Sequence, residues 1–297
     1  MHASLDVGLE NLHKYMNLQE DDVVLYLGGR IDDDNLYPAG YASYLNEKIK
    51  KLAPNKIICH THWYTGKYYD KKILDESTKI DVITAYRDHF QRGPRETINA
   101  GDYINHKKTL KKITTLNPNL IYAIYMCHPT HAAYRTVPGK FDISDEIQER
   151  FGSGYDFNNI RYFYFSRRYC PNNLIDWDMN MFDGEQEIEE WKNLNVNATD
   201  GFAIINSFLN AGFKKLNILG FTAFGSEEDV SNFTEYGCED GANPDTRFNG
   251  LKYFDIKTSE NQRYEADILQ DYVSSKKINN LEDYDKLLFY LKEERDG

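Results

Sequence analysis

Two pairs of histidines carry the most chemistry in this sequence. His60 and His62 flank a threonine in Cys59-His60-Thr61-His62-Trp63-Tyr64, and His128 and His131 stand in Met126-Cys127-His128-Pro129-Thr130-His131. An imidazole titrates near pH ~6.5, so it can take a proton from a hydroxyl or ligate a metal. His-x-His at a strand end would turn both rings to one side, because alternate strand residues share a face. The four histidines fit three roles: hydrogen bonding within the fold, general-base or substrate contact, and ligation in a metal-dependent hydrolase. No Asp or Glu beside either pair has a ligand spacing, which counts against the third.

A second group of residues suits a phosphate or a ribose. Leu27-Gly28-Gly29-Arg30 pairs two glycines, which let a backbone turn tightly and approach a ligand. No Lys-Ser/Thr follows and there is no GxGxxG, so this is neither a Walker loop nor a dinucleotide fingerprint. Asp32-Asp33-Asp34 is read as solvated loop, although metal-dependent sugar transferases also use adjacent carboxylates. Thr199-Asp200-Gly201 offers a helix cap and a glycine at a helix N-terminus, which is suited to an anion.

The elements that must position these residues alternate. Apolar runs predict strands at Val23–Leu27, Lys56–Cys59, Asp81–Thr84, Leu120–Met126, Arg161–Phe165 and Leu216–Leu219. Helical spacing predicts helices at Ala42–Leu52, Tyr103–Thr115, Gly201–Asn210 (stopped by Gly212), Arg263–Val273 and Leu281–Glu293. Strand–helix alternation implies an α/β fold: a mostly parallel central sheet with helices on both faces, Rossmann-like. Ligands then collect at the carboxyl ends of the strands, where the glycines and histidines lie.

Composition narrows the class without naming a function. The chain has 297 residues, 41% hydrophobic and 28% charged, which supports a buried core and excludes a disordered or fibrous chain. It reads as a single domain over 1–297, with an acceptor-side insertion or lid within 222–260. The longest apolar run, Leu120–Met126, is far short of the ~20 residues of a membrane helix. No secretory signal pattern opens the chain, so the expectation is a soluble, cytoplasmic protein. Cys59, Cys127, Cys170 and Cys238 are scattered with no CxxC, suggesting neither a disulfide framework nor a structural zinc site. The net charge of −12 is uneven: residues 1–140 hold 19 basic and 16 acidic side chains (+3), and the remainder 16 and 31 (−15). Arg87, Arg92, Arg95, Lys107, Lys108, Lys111 and Lys112 alternate with Tyr86, Phe90 and Tyr103. Such a face is either simply solvated or meets a polyanion.

The block from Thr199 to Phe221 resembles the sialyltransferase-like glycosyltransferases, bacterial and animal. It reads Thr199-Asp200-Gly201, then Gly212-Phe213-Lys214-Lys215-Leu216, then Gly220-Phe221. Leu25-Tyr26-Leu27-Gly28-Gly29 is similar to the family's glycine-bearing first loop. The His60–His62 stretch stands where bacterial members carry a Cys-Asn-Gln-aromatic segment, and Met126-Cys127-His128 where they carry another strand-end segment. Gln262-Arg263-Tyr264-Glu265-Ala266-Asp267 is similar to the animal family's short C-terminal motif.

The resemblance implies a GT-A variant fold of sialyltransferase type that binds a CMP-activated sugar, without an obligatory metal or other cofactor. Its chemistry is in-line displacement at the anomeric carbon, with a base on the acceptor hydroxyl. Gly28, Gly29, Arg30, His128, Thr199, Asp200, Gly201 and Thr222 would bind substrate, and Tyr236 would donate to the leaving phosphate. Two departures stand out: Gln262 replaces the family's histidine, and Thr222 replaces an Asp. His60 or His62 would then supply the base. The altered positions suggest a different sugar or acceptor: an anionic surface glycan, or hydroxymethylated DNA as modified by phage enzymes. Arg92, Arg95, Lys107, Lys108, Lys111 and Lys112 would meet that acceptor. Two alternatives remain open: a metal-dependent hydrolase using His60, His62, His128 and His131, and a non-catalytic nucleotide-binding protein.

Overall fold

The computed structural model describes residues 6–32, 37–86, 100–125, 161–166, 200–221 and 268–296. The fold is α/β, and the strands pair in parallel. The chain divides into two compact units. One comprises Met1–Gln19 and Lys79–Ala211, the other Glu20–Thr78 and Gly212–Gly297.

The first unit orders its strands β1 (Asp6–Gly8), β6 (Arg161–Ser166), β5 (Ile121–Tyr125) and β4 (Val82–Tyr86). Val82 faces Ile121, and Ile121 faces Arg161. The helix Ala100–Leu116 joins β4 to β5 and buries Leu110 and Ile113. Asn117 ends it by donating from Nδ2 to the Ile80 carbonyl at 2.7 Å, which fixes the return into β5. The helix Asp200–Asn210 is apolar on most sides and buries Phe202, Ile204, Ile205 and Phe208. It packs on the short helix α1 (Leu12–Tyr15) and the 3-10 turn Leu9–Asn11 that precedes it. Sequence reading missed β1 and α1, because elements of three or four residues carry no readable period.

The second unit orders its strands β3 (Lys56–Cys59), β2 (Val24–Leu27), β7 (Leu216–Leu219) and β8 (Asn279–Asn280). Strand β2 is buried along its whole length, so it reads as an unbroken apolar run. Helix α2 (Ala39–Leu52) crosses from β2 to β3 and buries Tyr41, Ala42, Leu45 and Ile49. Its C-cap, Ala53, takes the left-handed conformation and donates its N–H to Ile49 O. From β2 the chain runs to β3 on one side, while β7 lies on the other. The carboxyl end of β2 is therefore a topological switch point, the place where α/β sheets collect ligands.

Candidate functional site

The turn leaving β2 is held from three directions within the second unit. Gly28 N–H donates to Leu219 O at 2.7 Å, and Arg30 N–H donates to Gly220 O at 2.9 Å. Tyr68, on helix α3 (His62–Asp70), sends its hydroxyl to the Gly28 and Leu219 carbonyls at 3.1 and 3.2 Å. Burial holds that phenol well above its ordinary pKa, so it stays a donor. A Cβ on Gly29 would come 2.7 Å from the Tyr64 ring, so this glycine lets the aromatic lie on the turn. Gly29 is partly exposed, whereas Gly28 and Arg30 are buried.

Arg30 is turned inward. Its Nη1 lies 3.0 Å from Glu282 Oε2, with side chains 1% and 0% exposed. The Tyr37 hydroxyl donates to the other oxygen of Glu282. Burial raises the Glu282 pKa above its ordinary value, while Arg30, the Tyr37 hydrogen bond and Lys48 draw it back down. The same burial, with the Glu282 charge beside it, pushes the Tyr37 phenol up. The guanidinium expected on a ligand thus anchors the turn to residue 282, which lies 252 positions away. No signal in the sequence marks Glu282 as that partner.

The neighbouring residue Asp283 caps the terminal helix (Tyr284–Asp296), accepting the Lys286 N–H at 3.1 Å. That cap is why the helix begins three residues after the expected Leu281. Asp283 also accepts from the Tyr44 hydroxyl at 2.7 Å, and its own N–H donates to the Tyr41 hydroxyl at 2.9 Å. Desolvation alone would raise the pKa of this carboxyl. The Tyr44 and Lys286 hydrogen bonds and the charges of Lys48 and Lys286 bring it below its ordinary value instead.

His60 follows β3 directly. Its N–H donates to Leu27 O at 2.9 Å, and the residue is 8% exposed. Its Nδ1 lies 3.4 Å from the hydroxyl of Tyr26, a fully buried residue of β2. Its ring stacks on Tyr64, with centroids 5.9 Å apart and planes 13° from parallel. The expected His-x-His face is corrected here. The strand ends at Cys59, Thr61 is the N-cap of α3, and its Oγ1 accepts the Tyr64 N–H at 3.4 Å. His62 is the first residue of a helix, so strand alternation does not align it with His60. The hydroxyl at position 61 was the readable signal for that helix start.

The structure brings Gly28, Gly29, Arg30 and His60 together at the ends of β2 and β3. Tyr26, Tyr64 and Glu282 are additions that sequence reading did not single out. Asp200 and Gly201 open a helix that belongs to the other unit. Lys108 and Lys111 are exposed on the Ala100–Leu116 helix, and Lys112 is half-buried there. Asp33, Asp34, Arg92, Arg95, His128, His131, Thr199, Thr222, Tyr236 and Gln262 lie outside the described residues, as do the side chains of His62 and Lys107. Among the described residues, no group of three or more His, Cys, Asp or Glu side chains is placed to hold a metal ion, and no helix is long and apolar enough to cross a membrane. No protein-family model, curated protein or solved structure matches the chain.

Proposed function

We propose that the chain is a glycosyltransferase of sialyltransferase type, transferring a sugar from a CMP-activated donor to an acceptor hydroxyl without a metal. The observation that carries this reading is the pairing of a partly exposed Gly29 with His60 at the switch point, joined through the ring of Tyr64. The glycine turn supplies a close backbone approach for the nucleotide, and the imidazole supplies a base beside it. In the reaction, His60 takes the proton of the acceptor hydroxyl. The acceptor oxygen bonds to the anomeric carbon as the bond from that carbon to the CMP phosphate breaks, and CMP leaves with the electron pair. Arg30 serves from behind: paired with Glu282, it fixes the turn that presents Gly29. The acceptor in this reading is anionic, either a surface glycan or hydroxymethylated DNA.

The test is a thermal-shift panel of CMP, UDP, GDP and TDP, each with and without divalent metal. A ligand at ~100 times its dissociation constant adds roughly 2.7 kcal/mol to folding stability. Stabilisation by CMP that is indifferent to metal supports the proposal. Stabilisation by UDP, or only in the presence of metal, overturns it.

A further inference from the structure

We infer that Tyr64 is a substrate-binding residue whose hydroxyl donates to the phosphate of the nucleotide; the inference rests on the reading of the β2 turn as the nucleotide site. Gly29 shows where that hydroxyl lies. A Cβ on Gly29 would meet Cε2 and Cζ of Tyr64 at 2.7 Å and its hydroxyl oxygen at 2.9 Å. The positive-φ glycines among the described residues are Gly212 and Gly220, so backbone conformation does not call for a glycine at position 29. What the missing Cβ provides there is room for the phenol end of Tyr64. A group that touches the partly exposed Gly29 therefore comes to lie beside that hydroxyl.

Other polar groups of the turn face inward. The Arg30 guanidinium is paired with Glu282, and the Tyr68 hydroxyl donates to the Gly28 and Leu219 carbonyls. The N–H groups of Gly28 and Arg30 go to Leu219 O and Gly220 O. Arg30, His60 and Tyr68 are 3%, 8% and 0% exposed, whereas Tyr64 is half-buried. A ligand arriving from solvent meets Tyr64 ahead of these buried groups. The ring is also oriented before a ligand comes: Tyr64 N–H donates to the Thr61 cap, and its plane lies 13° from that of His60. A phenol can donate, and a hydrogen bond to an ionised oxygen is stronger than one between neutral groups. The hydroxyl gives the turn a neutral donor for a phosphate oxygen in place of the guanidinium that Glu282 holds.

The experiment is calorimetric titration of the full chain with CMP and with cytidine, which lacks the phosphate. Tyr64→Phe keeps the ring on Gly29 and removes the hydroxyl. Its affinity for CMP is expected to fall about 10–100-fold, the worth of a hydrogen bond to a charged group, while its affinity for cytidine holds. Should Tyr64→Phe fail to fold, carbon NMR of the wild type with labelled tyrosine decides. The Tyr64 ring is recognised there by its proton contact with the Gly29 α-hydrogens, and CMP is expected to shift its signals where cytidine does not. A wild type that binds CMP, with Tyr64→Phe binding it equally well, overturns the role of Tyr64 and leaves the donor reading standing. An equal loss for CMP and cytidine overturns the phosphate contact. If UDP, GDP or TDP binds the wild type and CMP does not, the donor reading fails, and Tyr64 is judged by the same comparison of that nucleotide with its nucleoside. A wild type that binds none of the four overturns both.

Discussion

Gly28 and Gly220 meet backbone to backbone with no room for a methyl group between them. A Cβ on Gly28 would fall inside the Gly220 carbonyl, 2.8 Å from its carbon. A Cβ on Gly220 would lie 3.0 Å from Gly28 O and on top of the Tyr68 hydroxyl. Gly220 also holds a φ of +79°, a region that other residues rarely occupy.

Gly28→Ala is therefore expected to cost about 1–3 kcal/mol through overpacking. Gly220→Ala should cost more, because about 1–2 kcal/mol of left-handed backbone strain adds to the clash. Urea unfolding checks both: the midpoint falls while the slope stays at the wild-type value.

Tyr68→Phe keeps the ring and removes the donor shared by Gly28 O and Leu219 O. Leaving buried acceptors without that donor is expected to cost about 1–3 kcal/mol. Amide hydrogen exchange at Gly28 and Arg30 should quicken, since their bonds to Leu219 and Gly220 close the same junction.

Glu282→Ala removes the carboxylate paired with the buried Arg30 guanidinium and is expected to cost about 3–5 kcal/mol. Adding Arg30→Met to Glu282→Leu removes both charges, and urea unfolding should show most of that loss recovered.

The folded state holds the Glu282 proton to a higher pH than the unfolded chain, because burial raises its pKa above the ordinary 4.5. From about pH 4.5 up to the folded value, the folded state binds more protons, so the contribution of this residue to stability falls as pH rises. Glu282→Gln removes that slope, and the difference between the two proteins in urea unfolding at several pH values isolates it.

Burial pushes the Cys59 thiol up to about 12, although hydrogen bonding with the Thr65 side chain and with the backbone at Thr61 and His60 draws it down. At pH 8 about one molecule in 10⁴ then carries the thiolate, the form that reacts. Iodoacetamide should leave Cys59 unmodified in the native protein and label it in urea, as read by peptide mass spectrometry.

The strands were legible because they are buried on both faces and read as apolar runs; Lys56–Cys59 and Leu216–Leu219 were found to the residue. Helix α3 was not, since the Thr61 hydroxyl that starts it stands between two histidines that read as strand-end ligands. The site was half legible. Gly28, Gly29 and His60 announce themselves by residue type at the strand ends. Tyr26 looked like any buried aromatic of an apolar strand, and its hydroxyl acquires a partner only when β2 and β3 align Tyr26 beside Ile58. Glu282 read as the first turn of a helix, until the cap at Asp283 set it outside.

The Arg30–Glu282 pair also imposes an order of events on synthesis. A ribosome adding about 5–20 residues per second needs roughly 13–50 s to travel the 252 residues between them. For that interval the nascent chain carries Arg30 without Glu282, and until residues 216–219 are made β2 also lacks β7, its partner on that side. The Arg30–Glu282 pair can close only after residue 282 has been made. A pause in translation before that codon would leave a chain with every glycine and histidine of the site already made, and the Arg30–Glu282 pair still open.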